Sequence, residues 1–238
     1  MAKPWQIVDR AETEEGVLEL RQRGERDFLI TIADRVLMNS SAHRSEVALS
    51  ELACAAIQGR CHARVLIGGL GMGYTLRAAL DSLSADAQVV VAELNPVVVE
   101  WCRGPIAHLT GGAVADPRVT VVIGDVATLI SQAARRGGQA LFDAIILDLY
   151  EGPHEGMTET EYLYGDSALA LSGAALAPGG VFAVWSEEPD QAFERRLTGA
   201  GFVFDRHRPG RGGRRHMVYI ARFSGGEPSG KPRRAVRR

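Results

Sequence analysis

RVLIGGLGMGYTLRAALDSLSADAQVVVAE, residues 64–93, is the stretch that decides the fold of this chain. Its start, Val65–Ile67, is β-branched and apolar and predicts a buried strand. A glycine-rich turn comes next, followed by a helix over about 75–83 and a second apolar strand, Val89–Ala92, which ends on Glu93. A strand, a glycine turn, a helix and a strand ending in an acid predict a nucleotide-binding βαβ unit.

The glycines of this turn also indicate which nucleotide is bound. They allow a tight turn and a close approach of backbone to ligand, because no Cβ stands in the way. Glu93 is placed to accept hydrogen bonds from the ribose hydroxyls. The spacing G-G-x-G-x-G resembles the first motif of class I S-adenosylmethionine-dependent enzymes rather than the G-x-G-x-x-G of dinucleotide sites, and no P-loop motif occurs. The candidate cofactor-binding glycines are Gly68, Gly69, Gly71 and Gly73.

Composition narrows the class of protein. The chain has 238 residues, 46% of them hydrophobic, and a formal net charge of −2, which suits one large domain or one domain with a small appendage. Nothing in this balance indicates a nucleic-acid partner, and no apolar run is long enough to cross a membrane, so we expect a cytoplasmic protein. Three scattered cysteines predict neither a disulfide framework nor a metal site.

The chain divides into three parts. Residues 1–42 predict a small antiparallel β unit, 43–223 a nucleotide-binding catalytic domain, and 224–238 a disordered tail rich in Gly, Ser, Pro and Arg. Edge strands of the β unit would be covered by pairing between two subunits, which makes a homodimer one expectation. The strands expected in the β unit are Val17–Gln22, Phe28–Ile32 and Arg35–Met38.

Strands and helices alternate in the larger domain, and its early strands are continuous apolar runs, as in a parallel sheet covered on both faces. A hairpin-like link joins the last two strands. The fold class predicted is α/β, with a Rossmann-like seven-stranded methyltransferase-type sheet closed by an antiparallel strand. We expect helices near 75–83, 96–108, 126–135, 160–177 and 190–199, with Pro178-Gly179-Gly180 stopping the fourth.

Acids follow four consecutive strands of this domain, at the edge of the sheet where α/β proteins bind ligands. Asp125 is expected to accept a hydrogen bond from the adenine amine, and the amide of Val126 to donate to a ring nitrogen. Asp148 is the candidate for the reacting centre, where a carboxylate orients an amine and accepts its proton. The candidates on the substrate side are Glu46, Tyr150, Glu151 and Glu187.

The loop after Asp148 stays acidic, which would attract a cationic substrate and repel phosphate. Glu159 and Glu161 are expected instead in the first turn of the next helix, where the helix dipole favours acids. Glu159 and Glu161 are therefore assigned to the helix rather than to the substrate site.

These residues together resemble the spermidine synthase (polyamine aminopropyltransferase) family, from about Val17 to Phe223. VLIGGLGMG resembles the family's VLxIGGGDGG, AELN resembles xEID, GDV resembles GDG or GDA, and DLYEGP resembles the catalytic loop DSSDP. The resemblance implies that Asp148 is the base acting on the attacking amine and that Glu151 helps to bind the polyamine. The family's Y-H-E segment appears here as Arg44-Ser45-Glu46.

The resemblance implies a transferase that moves an aminopropyl-like alkyl group from a sulfonium nucleoside to a small amine. The cofactor is then S-adenosylmethionine or its decarboxylated form. A methyltransferase acting on a small molecule is the alternative within this class. A non-catalytic or NAD-linked nucleotide-binding protein is the alternative outside it, and the glycine spacing and antiparallel last strand speak against that.

Overall fold

Two β-sheets form the framework of the protein. The structure is a computed structural model and describes residues 3–154, 157–158, 160–210 and 216–224, so most of the predicted tail lies outside the described residues. The first sheet is an antiparallel meander in the order β1-β2-β3-β4. Its strands are β1 (Gln6–Thr13), β2 (Gly16–Arg23), β3 (Asp27–Ile32) and β4 (Arg35–Asn39).

Strand β1 is the one strand of this sheet that the sequence analysis missed. Its sequence, QIVDRAET, has no buried residue, so it lacks the alternating apolar face by which a strand is recognised. It is placed by antiparallel pairing with β2. By contrast, β2 and β3 bury Leu18, Leu20 and Ile30 in the same core cluster as Leu49 and Ile67 of the larger domain.

The second sheet has seven strands in the order β10-β11-β9-β8-β5-β6-β7. All neighbours pair in parallel except β11, which is antiparallel to both β9 and β10. This confirms the predicted fold class. The strands are β5 (Arg64–Gly68), β6 (Gln88–Glu93), β7 (Val119–Ile123), β8 (Phe142–Leu147), β9 (Leu176–Ser186), β10 (Phe202–His207) and β11 (Met217–Phe223).

Helices cover both faces of this sheet. Val65 and Ile67 of β5 face one core cluster while Leu66 faces the other, and all three are fully buried. Burial on both faces explains why the strand reads as a continuous apolar run. The helices are α1 (Arg44–Ala56), α2 (Tyr74–Ser82), α3 (Pro96–Arg103), α4 (Val126–Arg136), α5 (Asp166–Ala174) and α6 (Gln191–Gly199). None of the helices in the described ranges is long and apolar enough to cross a bilayer.

Two helix predictions were wrong in their bounds. Helix α3 ends at Arg103 and is followed by a short 3₁₀ turn, Ala107–Thr110, because the backbone at Gly104 leaves the helical region. Helix α5 starts at Asp166 rather than near 160, so Glu161 does not lie in its first turn. Residues 178–180 belong to β9, between Leu176 and Val181, where the register against β8 shifts.

The glycine turn joins the carboxyl ends of three strands. The amide of Gly69 donates to Ala92 O at 2.9 Å, and the amide of Asp148 donates to Gly68 O at 2.9 Å. Gly69 has φ of +87°, and a Cβ there would collide with the carbonyl oxygen of Asp148. Only a glycine therefore lets the loop after β8 lie directly against the turn after β5.

We expect Gly69→Ala to destabilise the protein by roughly 2–4 kcal/mol. The left-handed backbone conformation is strained for alanine, and the added Cβ would also collide with the carbonyl oxygen of Asp148. Urea unfolding measures this loss. Gly24→Ala is the matched control, because Gly24 has φ of +67° but no atom within 4 Å of the added Cβ. The control should lose only about 1 kcal/mol, and equal losses in the two variants would contradict the proposed contact.

Candidate active site

A cavity of about 360 Å³ lies at the carboxyl ends of the central strands. Its lining includes seven carboxylates, and no lysine or arginine among the residues that the structure describes. A histidine, His154, lines it as well. No three His, Cys, Asp or Glu side chains of the described ranges converge in a way that would hold a metal ion. The seven carboxylates belong to Glu15, Glu46, Glu93, Asp125, Asp148, Glu151 and Glu161.

The structure brings most of the predicted site residues together in this cavity. Those that line it are Glu46, Gly69, Gly71, Glu93, Asp125, Val126, Asp148, Tyr150 and Glu151. Gly68, Gly73 and Glu187 do not line it. Gly68 is buried where a Cβ would be 2.9 Å from the side chains of Leu147 and Val126, Gly73 starts helix α2 with φ of +82°, and Glu187 is exposed. Gly68 therefore serves close packing and Gly73 serves the start of the helix. The spacing of glycines in a sequence does not distinguish these roles from contact with a ligand.

Glu93 is fixed at the end of β6 by two backbone amides. Its Oε2 accepts from Leu70 N at 2.8 Å and its Oε1 from Asn95 N at 2.9 Å. Burial raises the pKa of this carboxyl, while those backbone hydrogen bonds lower it in part. Each oxygen keeps a second lone pair, so the side chain is held in place as an acceptor for a pair of donors on a ligand.

Asp125 caps the N-terminus of helix α4. Its Oδ1 accepts from Ala127 N at 2.9 Å, and its other oxygen has no hydrogen-bond partner within the described part of the chain. Val126 is the first helical residue, so its N–H has no partner inside the helix. A carboxylate oxygen and an N–H therefore stand side by side at the cavity, an acceptor next to a donor.

Asp148 directly follows β8 and lines the cavity together with the other acids. The hydroxyl of Thr75, in the first turn of α2, donates to Asp148 Oδ2. Burial, and then the nearby charge of Glu46, raise the pKa of Asp148 to about 7 despite the hydrogen bond from Thr75. An acid with a pKa near neutrality is able to take up and release a proton at physiological pH.

Three lining or supporting residues were missed by the sequence analysis. Thr75 had a signal, since it opens the helix after the glycine turn. Tyr164 and Trp185 had none, because each reads as an ordinary apolar core residue. Both line the cavity, and the Tyr164 hydroxyl and the Trp185 Nε1–H are buried without a hydrogen-bond partner among the described residues. Buried polar groups are usually hydrogen-bonded, so within the described residues these two atoms are exceptions in the wall of the cavity.

The N-terminal sheet supplies an apolar wall opposite the acids. Met38 contacts the glycine turn, where a Cβ at Gly71 would be 3.1 Å from its Sδ and where Gly71 has φ of +52°. Met72 N also donates to Met38 Sδ at 3.2 Å. Gly71 is therefore needed for contact with β4 as well as for the approach of a ligand. The apolar lining residues of the sheet are Leu18, Ile30, Ile32, Leu37 and Met38.

The mouth of the cavity is bridged by one hydrogen bond. The Tyr150 hydroxyl donates to Glu15 Oε2 at 2.9 Å, which links the loop after β8 to the turn between β1 and β2. Glu151 and Glu161 line the cavity nearby. Glu151, which the sequence assigned to the substrate side, and Glu161, which it assigned to a helix, therefore line the same cavity.

The raised pKa of Asp148 predicts that the free energy of unfolding depends on pH. Its folded pKa of about 7 lies above its ordinary value of 3.8, so the stability it contributes is complete below about pH 4 and is lost as the pH rises through 7. We expect Asp148→Asn to be more stable than the wild type at pH 8 by about 1–3 kcal/mol, and equal to it near pH 4. Urea unfolding across this range tests it, and parallel stability curves would contradict the assigned pKa.

Comparison with known proteins places this geometry in a family. The spermine/spermidine synthase domain matches residues 51–195. A polyamine aminopropyltransferase of Mycobacterium tuberculosis (strain ATCC 25618 / H37Rv) is 35% identical over 125 residues, which are 52% of this chain and 23% of that protein. Putrescine N-methyltransferase 1 of Nicotiana tabacum is 36% identical over 126 residues, which are 52% of this chain and 30% of that protein.

The chain thus aligns with less than a third of the length of either of these curated relatives. The crystal structure of spermidine synthase from Thermotoga maritima matches the fold with a TM-score of 0.71 at 18% identity, over 94% of this chain and 74% of that one. Its likeness includes the seven-stranded sheet and the small sheet in front of it. With a family domain that spans more than half of its residues, the chain belongs to the spermine/spermidine synthase family.

Proposed function

We propose that this protein transfers an aminopropyl group from decarboxylated S-adenosylmethionine to a small amine. One observation carries the proposal: a cavity at the nucleotide-binding edge of the sheet is lined by seven carboxylates and, within the described residues, by no lysine or arginine. Both partners of such a transfer are cations. Low-dielectric walls lined by acids raise the local concentration of cations and exclude phosphates.

The residues present fit an adenosyl nucleoside. Glu93 holds two acceptor oxygens at the end of β6, where the ribose hydroxyls would lie. Asp125 and the amide of Val126 offer an acceptor beside a donor, the pattern that the adenine amine and a ring nitrogen require. Gly69 and Gly71 line the cavity, so the nucleoside would lie against the backbone of the glycine turn.

The charge of the lining favours the decarboxylated cofactor over S-adenosylmethionine. The carboxylate of S-adenosylmethionine would stand among acids with no lysine or arginine of the described lining to pair with it, and a buried unpaired charge is costly. Decarboxylation leaves an ammonium group that suits the acids. Methyl transfer, as named for the tobacco relative, requires the carboxylate to be tolerated and is the competing outcome.

Asp148 performs the proton step in this proposal. The sulfonium nucleoside supplies an alkyl carbon bound to positively charged sulfur, which departs as a neutral thioether. Asp148 orients the acceptor nitrogen and takes its proton, so that the nitrogen lone pair is available to form the new C–N bond as the C–S bond breaks. Its pKa of about 7 leaves it partly ionised at neutral pH before any cation enters.

The acceptor in this proposal is a small amine. We also propose that two molecules of the chain pair through their N-terminal sheets. Strand β1 is an edge strand with exposed Ile7 and Val8, which pairing would cover.

The transfer is tested by incubating the protein with a panel of diamines and either form of the cofactor. Release of 5′-methylthioadenosine with decarboxylated S-adenosylmethionine supports the proposal. Release of S-adenosylhomocysteine with S-adenosylmethionine would replace it with methylation. Stabilisation in a thermal shift by NAD alone would overturn both.

We expect Glu93→Ala to weaken binding of 5′-methylthioadenosine at least tenfold, because two charge-assisted hydrogen bonds of roughly 1.5–3 kcal/mol each are lost. Calorimetry measures the affinity. Glu100→Ala is the control, since Glu100 is exposed on α3 and does not line the cavity. Unchanged affinity in Glu93→Ala would remove Glu93 from the site.

We expect Asp148→Asn to lower turnover by roughly 10²–10⁴ while the affinity for nucleoside changes only a few-fold, because the amide keeps the shape and loses the proton acceptor. The rate of the wild type should rise with pH as acceptor and base lose protons. Steady-state kinetics with the amine found above measures this, with Asp205→Asn on β10 as the control. Full turnover in Asp148→Asn would disprove the proton step.

A further inference from the structure

Glu46 is a buried acid that the cavity leaves half-satisfied. It lies in the first turn of α1, lines the cavity and is 7% exposed. Its Oε2 accepts from the Ser45 hydroxyl at 2.7 Å, while Oε1 has no hydrogen-bond partner in the described ranges. The hydroxyl of Thr75 contacts both Asp148 Oδ2 and, at 3.5 Å, the backbone oxygen of Glu46, so the two acids are neighbours, and after burial the charge of Glu46 is the second cause that raises the pKa of Asp148.

Ser45 is held in turn from the far end of the chain. Its Oγ lies 2.9 Å from His216 Nδ1. Because the single hydroxyl proton of Ser45 is given to Glu46, Nδ1–H of His216 is the donor in this second bond. His216 precedes β11, and its ring meets Trp185 edge-to-face at 4.8 Å between centroids. A directed chain of two hydrogen bonds therefore runs from β11 to the carboxylate of Glu46.

We propose that Ser45 and His216 are positioning residues that hold the Glu46 carboxylate beside Asp148, and that the two carboxylates together bind the ammonium group of the acceptor. The inference rests on the proposed function and names the subsite that this function needs. Two neighbouring carboxylates repel and would rotate apart unless fixed, whereas a cation between them satisfies both. The free oxygen of Glu46 is the one left for it.

Within the described residues, no lysine or arginine of the cavity lining pairs with these two carboxylates, and the one lining histidine is His154. Thr75 donates to Asp148, and its hydroxyl also lies 3.5 Å from the backbone oxygen of Glu46. Burial and then the charge of Glu46 raise the pKa of the Tyr74 phenol. The pKa of the Tyr164 phenol is also raised, mainly by burial and in part by the charge of Asp148. Arg44 is exposed, and its guanidinium lies near Gly210, where an added Cβ would be 3.3 Å from Nη1. It does not line the cavity.

The test follows the Asp148 carboxyl carbon by ¹³C NMR over a pH titration of the folded protein. Glu46→Gln should lower the midpoint of Asp148 by about one unit, because the repelling charge is gone. Ser45→Ala should lower it in the same direction, because Glu46 is released to turn away. Ser45→Thr keeps the hydroxyl and should restore the wild-type midpoint, and His216→Phe should behave like Ser45→Ala.

A second measurement is the affinity for 1,4-diaminobutane by calorimetry. Ser45→Ala should weaken it about tenfold, with the affinity for 5′-methylthioadenosine within twofold of the wild type, and Ser45→Thr should rescue it. Urea unfolding of each variant separates loss of position from loss of fold, and Ser45→Thr serves if Ser45→Ala does not fold.

The titration needs neither ligand nor turnover, which separates the two hypotheses. An unchanged Asp148 midpoint in Ser45→Ala and His216→Phe overturns the positioning role, whatever the enzyme transfers. If the midpoint of Asp148 shifts in these variants but the wild type binds no diamine, the positioning role is supported. The ammonium subsite is then overturned, and an amine acceptor of this type is contradicted. A shift in both measurements supports the whole proposal.

Discussion

The contact between the glycine turn after β5 and the loop after β8 is the constraint on which the site depends. Gly68 and Gly69 hold the backbones of Asp148 and Ala92 by hydrogen bonds of 2.9 Å. The approach is so close that a Cβ at Gly69 would enter the carbonyl of Asp148. The glycine turn and Asp148 are thereby set side by side by backbone geometry alone. Thr75, in the first turn of α2, then fixes the carboxylate of Asp148.

Charge is the second organising feature. Seven acids line one cavity, and burial together with the nearby charge of Glu46 raises the pKa of Asp148 to about 7 despite the hydrogen bond from Thr75. Such an arrangement costs stability when it is empty and gains from a cationic ligand, since charged groups buried without partners are unfavourable.

The small N-terminal sheet is a wall of the site rather than an appendage. Its inner face carries Ile30, Ile32 and Met38 into the cavity, and Met38 packs directly on Gly71. The turn between β1 and β2 reaches the loop after β8 through Glu15 and Tyr150. The small sheet therefore contributes apolar side chains, together with Glu15, to a cavity whose other acids come from the larger domain.

The sequence by itself determined the α/β fold, the βαβ unit and five of the seven acids that line the cavity, because glycine spacing, apolar runs and acids at strand ends are local signals with a direct physical meaning. It misplaced the start of α5, and with it Glu161, since the chain forms turns up to Gly165 before the helix begins at Asp166. Strand β1 was invisible because it buries nothing. Only the tertiary structure decided that Ser45 meets His216, that Tyr164 and Trp185 reach the cavity, and that Gly68 and Gly73 do not. Those facts arise from contacts between residues far apart in the chain, which no local pattern encodes.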